Sequence, residues 1–303
     1  MKLPPLWISA PAVRLPKQAV SNDEMIARVK ARFKGTDAEF DRVERRIRSL
    51  FRACGSETRY LEEEAPTPLA GHAAAAATDL LTARGVPADE LDLVVYGSIA
   101  REYFEPATAA EVAGRLGAEE AMAYDVTAAC AGSLVAIQDT VARFAVDDAL
   151  RTALVVTATM TAGHIQYDIP DTDAVTYLGA GLTLGNAATA ILLSREPLPN
   201  SGRVVAMHAQ GMSRHHELCR APVGGHFVTD GPELFALARH LPAHVRGLCD
   251  RAGWNPGDVD LYVSHQPSNA VLRGIAGALE VPTDRMPQLH GVFGNCAASS
   301  VPL

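Results

Sequence analysis

The 303-residue chain is expected to fold as an α/β protein made of two related halves, 1–195 and 196–303. Three observations lead there. Runs with β character alternate along the chain with Ala-rich stretches of helical period, the pattern of layered α/β folds. The chain also repeats itself: residues 85–98 (GVPADELDLVVYGS) lie over 253–266 (GWNPGDVDLYVSHQ) at a constant offset of 168, Gly85 over Gly253 and Asp92 over Asp260. Composition, at 48% hydrophobic and 20% charged, is that of a globular chain long enough to bury a large core.

The elements follow in order. Ser21-Asn22-Asp23-Glu24 has the spacing of a capping box and opens a first helix. Over 38–53, Phe40, Val43, Ile47, Leu50 and Phe51 recur at helical spacing, so one face of a second helix is buried. A third helix covers 67–84, with Gly85 as its stop. Strands are expected at 91–97, 122–127, 152–159, 187–194, 203–210 and 259–264, and helices at 107–116, 130–145, 231–252 and 268–279. Beyond the first repeat, Ala129-Cys130-Ala131-Gly132-Ser133 matches Asn295-Cys296-Ala297-Ala298-Ser299 at an offset of 166. Two copies packed about a pseudo-twofold axis would set Cys130 and Cys296 at the starts of paired helices and turn Asn295 toward Cys130. The first copy continues to about 194 through a helix and two strands, whereas seven residues follow Cys296. The corresponding part of the second half is therefore expected to be missing or incomplete.

Charge and cysteine usage narrow the function. A net charge of −8 argues against nucleic acid, whose phosphates need clustered surplus Lys and Arg. No apolar run approaches the ~20 residues that span a bilayer, and Met1-Lys2-Leu3-Pro4-Pro5 lacks a signal-peptide core. Five cysteines, an odd number at irregular spacing, do not resemble a disulfide framework, which points to the cytoplasm and free thiols.

Three residues carry chemistry. Cys130 joins an apolar strand to a small-residue helix, where the positive end of the helix dipole would lower the thiol pKa; a small buried hydrophobe is the other reading. His265 ends the run 259–264, so its imidazole would project from the carboxyl edge of a sheet, as a hydrogen-bond donor to a carbonyl or a base for the thiol, or else as a satisfied core histidine. Asn295, between Gly294 and Cys296, either donates its amide to a developing oxyanion or makes local turn bonds.

Together TAACAGS (127–133), SHQPSN (264–269) and FGNCAASSVP (293–302) resemble the ketosynthase III branch of the thiolase superfamily, and the likeness runs from about residue 52 to the end. The resemblance implies a five-layered αβαβα fold, two duplicated halves about a pseudo-twofold axis, a homodimer, and a Cys-His-Asn site. Cys130 would be the acyl-accepting nucleophile, with His265 and Asn295 polarising the carbonyl of a second thioester. Implied substrates are coenzyme A or acyl-carrier-protein thioesters, with no permanently bound cofactor and no metal. Segments 101–108 (REYFEPAT), 182–186 (LTLGN) and 215–220 (HHELCR) look similar to the head-to-head condensing thiolases of olefin and β-lactone biosynthesis. In those relatives a Glu before Pro enters the site from the partner subunit, and Glu105 is the matching position. In an apolar pocket its pKa would rise and it could act as a base on an acyl α-carbon; a solvated loop acid is the alternative. The family's C-terminal tail supplies a further oxyanion-hole N–H, so a chain ending at Leu303 is expected to be poorly active or unstable.

Other groups are set aside or ranked below. Gly179, Gly181 and Gly185 lack dinucleotide-loop spacing. His215, His216 and Cys219 have no metal-site spacing, and His164, Asp168, Asp171 and Asp173 read as a polar loop, a lid over a tunnel. Arg52, Arg214, Arg220 and Arg273 are candidates for a coenzyme or carrier phosphate. The expected reaction is acylation of Cys130 followed by Claisen condensation with an acyl or malonyl thioester. The alternatives are acyl transfer to a hydroxyl or amine, and a non-catalytic chain-length or scaffold partner.

Overall fold

The computed structural model describes residues 3–62 and 67–303, so Met1 and Lys2 of the N-terminal segment lie outside the described residues. Strands β1 (Trp7–Ser9), β2 (Ala12–Arg14) and β3 (Gln18–Ser21) lead into helices α1 (Asn22–Arg32) and α2 (Asp37–Cys54), then β4 (Thr58–Leu61) and α3 (Leu69–Arg84). Next come β5 (Leu93–Gly97), α4 (Thr108–Leu116), β6 (Met122–Val126), α5 (Gly132–Val146), β7 (Thr152–Thr159), α6 (Ala174–Leu178) and β8 (Ala187–Ser194). Beyond these lie β9 (Ser201–Arg203), β10 (Cys219–Arg220), β11 (Val228–Thr229), α7 (Gly231–Ala236), α8 (Leu241–Ala252), α9 (Asn269–Leu279) and α10 (His290–Phe293).

Local signals act as the sequence implies. The Ser21 hydroxyl accepts the Glu24 N–H while the Glu24 carboxylate accepts the Ser21 N–H at 2.7 Å, closing both ends of the capping box on α1. Thr36 and Glu39 repeat the device on α2, whose Phe40, Val43, Ile47 and Phe51 are buried while Leu50 is half-buried. Gly85 ends α3 in the left-handed region, at φ 65°.

One mixed sheet of seven strands runs in the order β6-β5-β7-β8-β1-β9, with β2 also paired to β8. β5 is parallel to β6 and β7, and β8 pairs antiparallel with β7, β1 and β2. Side chains alternate across the sheet with period two. Val94, Tyr96, Leu154 and Val156 pack toward α3 and α4, whereas Leu93, Val95, Ala153 and Val155 pack toward α5. Helix α5 and its preceding turn are long and apolar enough to cross a membrane by composition. Packing explains that apolarity: Ala136, Ile137, Val141 and Phe144 are buried on the sheet. The α5 start comes so close to β5 that a Cβ on Gly97 would lie 2.6 Å from the Gly132 carbonyl oxygen, so this crossing needs glycine.

Several expected elements differ. The run 259–264 forms no strand, and of 203–210 only Arg203 lies in one, as the last residue of β9 (Ser201–Arg203). A strand exists only through ladder partners. In the first half β5 pairs with β7, which follows the Cys130 helix, and residues 297–303 hold no strand that could play that part for 259–264. Tyr262 N–H instead donates to the Arg285 carbonyl, and Leu261 and Val263 remain about half exposed. The helix expected over 231–252 is broken at 237–240 by a tighter 3₁₀ turn ahead of Pro242.

The duplication is visible in the backbone, and in one register throughout. Gly85 and Gly253 cap helices at φ 65° and 73°. The 3₁₀ turns Ala88–Glu90 and Pro256–Asp258 follow each, and Ala129 (φ 48°) and Ala297 (φ 44°) share a conformation rare for residues with a Cβ. All three pairs stand 168 apart. The register 166 expected for the cysteine motifs is thus corrected: Cys130 corresponds to Ala298, and Cys296 to Ala128.

Candidate active site

The site forms where the two repeated turns meet. Turn Ala129–Ala131 carries Cys130 ahead of α5, and turn Ala297–Ser300 packs against it and on β7, β8 and α5. Between them and the loops at 101–104 and 219–227 opens a cleft of about 460 Å³, whose lining includes Cys130, Asn295, Ala297, Thr161, Leu184 and Phe227. Cys130 and Asn295 are therefore brought together, as the repeat implies.

Cys130 does not gain an acidic thiol. Burial pushes its pKa up to about 12, the nearby Cys219 thiol adds to the rise, and its own backbone amide opposes it only in part. The expectation of a dipole-lowered pKa fails because Cys130 sits within the 3₁₀ turn Ala129–Ala131 that precedes α5, outside the α-helix itself, and desolvation outweighs the dipole. At neutral pH Cys130 is held as the thiol.

Asn295 is fixed by three hydrogen bonds. Its N–H donates to the Thr183 carbonyl (2.8 Å), its carbonyl accepts the Gly185 N–H (3.0 Å), and its Oδ1 accepts the Ala297 N–H (2.9 Å). With Oδ1 used locally, the side-chain NH2 makes no hydrogen bond within the described residues and remains a donor. The expected local turn bond is present, and it leaves the NH2 as the side chain's free group in a residue that lines the cleft. Gly185 makes the approach possible, since a Cβ there would sit 2.0 Å from the Phe293 carbonyl oxygen.

His265 does not line the cleft; it lies behind Ala297, whose backbone it touches. Its Nδ1 is buried without a partner, and burial together with neighbouring His290 holds its pKa down at about 4. The imidazole is neutral at neutral pH. His290 is itself fully buried, with Nδ1 at 2.9 Å from the Gln266 carbonyl oxygen.

Glu105 is exposed on the loop whose residues 101–104 line the cleft, and it does not itself face that cleft within the chain. Arg52, Arg214, Arg220 and Arg273 are all exposed and none lines the cleft. They fall in two groups, Arg52 and Arg273 on the packed helices α2 and α9, Arg214 and Arg220 on the 213–220 segment that borders the cleft. His164 and Cys219, set aside on sequence, both line the cleft, and the His164 ring bonds the Gly225 carbonyl. Sequence reasoning also passed over Asp125, which accepts the N–H groups of Thr108 and Ala109 and so caps α4 from the cleft wall. Among the described residues no three His, Cys, Asp or Glu side chains gather as a metal-binding group.

A duplicated α/β frame with a thiol, a neutral imidazole and an aimed amide at its centre is the frame of thiolase-fold condensing enzymes. A family model for the 3-oxoacyl-[acyl-carrier-protein] synthase III C terminal matches residues 249–303. The β-ketoacyl-[acyl-carrier-protein] synthase III of Bordetella petrii is 31% identical over 299 residues, covering 95% of this chain and 84% of its own. That of Levilactobacillus brevis is 29% identical, covering 75% and 71%. Among solved structures, OleA from Xanthomonas campestris with bound lauric acid and lauroyl-CoA superposes with a TM-score of 0.88 at 22% identity, covering 99% of this chain and 89% of that one. FabH from Pseudomonas aeruginosa gives 0.82 at 23%, covering 98% and 87%. The chain belongs to the β-ketoacyl-[acyl-carrier-protein] synthase III family, has the thiolase fold, and is an acyltransferase-class condensing enzyme.

Proposed function

We propose that Cys130 accepts an acyl group from a coenzyme A or carrier-protein thioester and that the acyl-enzyme then undergoes Claisen condensation with a second acyl or malonyl thioester. In the first stage the Cys130 sulfur adds to the thioester carbonyl, its proton leaves, and the coenzyme or carrier thiol departs. In the second, an α-carbanion, formed by loss of CO2 from a malonyl unit or by proton abstraction, attacks the acyl carbon and releases the Cys130 sulfur. The observation that carries this reading is the shared cleft: Cys130 and the unbonded Asn295 amide line one cavity, and neutral His265 stands immediately behind it. Asn295 and His265 polarise the second thioester carbonyl as neutral donors, which stabilise an enolate oxygen without delivering a proton to the carbanion.

Glu105 is the base for the non-decarboxylative route in this proposal, supplied across a homodimer, consistent with its exposure beside Tyr103 (58% exposed) and Phe104 (85% exposed). Arg214 and Arg220 at the cleft border, and Arg52 and Arg273 on the helices, are the proposed phosphate contacts. The enzyme is proposed to work in the cytoplasm; its five cysteines are all free.

Intact-mass measurement after incubation with acyl-CoAs of several lengths tests the first stage. An acyl adduct on the wild type that is absent from Cys130→Ala supports the assignment; a folded protein with no adduct from any donor overturns it. Offering the acylated enzyme malonyl-CoA, a second acyl-CoA, or a hydroxyl or amine acceptor, and identifying the product, separates condensation from acyl transfer to oxygen or nitrogen.

A further inference from the structure

The cleft that holds Cys130 has a closed end that the chemistry above does not use. Exposure marks its direction. Val223 (95% exposed) and Phe104 stand at the mouth, Cys130 is partly buried, and Tyr96 lines the cleft at 2% exposure. The other fully buried lining side chains are Ser98, Thr161, Leu184 and Ala297, so Tyr96 is the largest group on the buried wall.

Two glycines decide which way the space can run from Cys130. A Cβ on Gly97 would lie 2.6 Å from the Gly132 carbonyl oxygen, and one on Gly132 would lie 2.8 Å from the Gly97 carbonyl oxygen. Strand β5 and helix α5 therefore meet backbone to backbone two residues after Cys130, and no ligand passes between them. Side chains alternate along β5, and Tyr96 points to the opposite face, in the layer of Val94 and Val156 that packs on α3 and α4. Space shut on the α5 face thus continues around the end of β5, past Ser98, to the Tyr96 ring. The ring is fixed there. Its hydroxyl lies 2.9 Å from the Ala100 carbonyl oxygen and 3.0 Å from that of Ala158, to which Ser98 Oγ also donates at 2.8 Å. In register with Tyr96 on β6 is Asp125, whose carboxylate is held by the Thr108 and Ala109 N–H groups. Swinging aside for a ligand would cost the phenol its hydrogen bonds in a dry site.

We propose that Tyr96 is a specificity-determining residue for acyl chain length: its ring is the stop against which the far end of the Cys130-bound acyl chain comes to rest. That an acyl chain fills the cleft is taken from the proposed function; the stop itself is a property of the cleft. At ~30 Å³ for a group the size of a water molecule, a cleft of about 460 Å³ holds roughly 15 such groups. One acyl chain and part of the arm that delivers it occupy that space, so a few carbons more or less at the stop decide whether a substrate fits. Interiors packed to crystal-like density do not absorb such a change elsewhere.

Two readouts over a series of straight-chain lengths test the stop: intact-mass adducts on Cys130 from acyl-CoAs, and calorimetric binding of the free fatty acids to the Cys130→Ala protein. Tyr96→Ala removes the ring and should raise the longest chain accepted by about two to four carbons in both. Tyr96→Leu should raise it by less, and Tyr96→Phe, which keeps the ring, should hold the wild-type limit. A folded Tyr96→Ala protein with the wild-type length profile overturns the proposal. So does a Tyr96→Phe limit that moves as far as that of Tyr96→Ala, which would assign the limit to the loop the hydroxyl ties down. Failure of the Ala and Leu variants both to fold also overturns it and leaves the ring to the core alone. A raised limit in fatty-acid binding with no adduct on any variant supports Tyr96 as the stop and overturns the acylation of Cys130 instead. Neither adduct nor fatty-acid binding in any variant overturns both.

Discussion

The turn at 128–132 and the turn at 296–300 share a backbone but have opposite occupations. Ala129 and Ala297 hold the same left-handed conformation, and each turn begins where a sheet strand or its counterpart stops. Around Cys130 the turn faces a cleft. Around Ala298 every residue is buried, and the Ser299 hydroxyl sits among Thr157, Thr159 and the Ala187 carbonyl, with Thr157 bonded onward to Thr189. The duplication has kept a strained turn twice and given it a reactive side chain once. The other copy serves as the floor against which the first is held.

The sharpest break of that comparison uses the two cysteines. Cys130→Ala should abolish the acyl adduct with little change in stability. Cys296→Ala should keep the adduct and cost about 1–3 kcal/mol, since Cys296 is fully buried with its thiol donating to the Phe293 carbonyl. Intact mass and chemical denaturation check both; loss of the adduct in Cys296→Ala alone would reverse the roles of the turns. Next in size is Gly185→Ala. With a Cβ 2.0 Å from the Phe293 oxygen, and the Leu184–Asn295 bridge alongside, the strand start and the Asn295 turn cannot both keep their places. A loss of more than about 3 kcal/mol, or a folded protein that acylates but does not condense, is expected.

The two regions also separate in their response to pH. His265 is held down at about 4 and His290 is lowered too, so the folded state resists protons that the unfolded chain accepts from pH ~6.5 downward. Stability should therefore fall as pH drops from about 6.5 toward 4, by an amount on the order of 3 kcal/mol. Cys130 and Cys296, both pushed up to about 12, stay protonated in the fold while an unfolded thiol ionises near pH ~9, so stability also falls above that pH, equally from both turns. Denaturation midpoints across pH in His265→Gln should lose much of the acid slope and keep the alkaline one; an unchanged acid slope would place its origin elsewhere.

Much of the first half was legible because its signals are local or periodic. Strands 152–159 and 187–194 lie at their expected bounds, since continuous apolar runs buried on both faces leave little choice. The capping box at Ser21 and the glycine stop at Gly85 are contacts within a few residues. The run 259–264 misled because its apolar pattern is that of a strand, while strand formation depends on partners far away in the chain. Cys130, Asn295 and His265 were legible as residue types, and the repeat brought the first two together. The thiol pKa was not, because desolvation depends on loops at 219–227 that carry no pattern of their own. Arg59 on β4, whose side chain is fully buried, was invisible for a similar reason: nothing in a sequence distinguishes a fully buried arginine from a surface one.

The smallest expected effect is also the finest test of how the two turns differ, because sequence alone pairs Ser133 with Ser299. Both hydroxyls are fully buried. Ser299 Oγ lies within 3.0 Å of three oxygens, Thr157 Oγ1, Thr159 Oγ1 and the Ala187 carbonyl, whereas Ser133 Oγ has no partner among the described residues. Removing a hydroxyl from a satisfied network leaves its partners unpaired, so Ser299→Ala should cost about 1–3 kcal/mol. Removing an unpaired one relieves a desolvation penalty, so Ser133→Ala should be neutral or slightly stabilising. Equal losses in the two variants would mean that the floor turn is held by its apolar contacts alone. An unequal pair, in the direction given, locates the rigidity of the site in the hydroxyls that tie the second turn to β7 and β8.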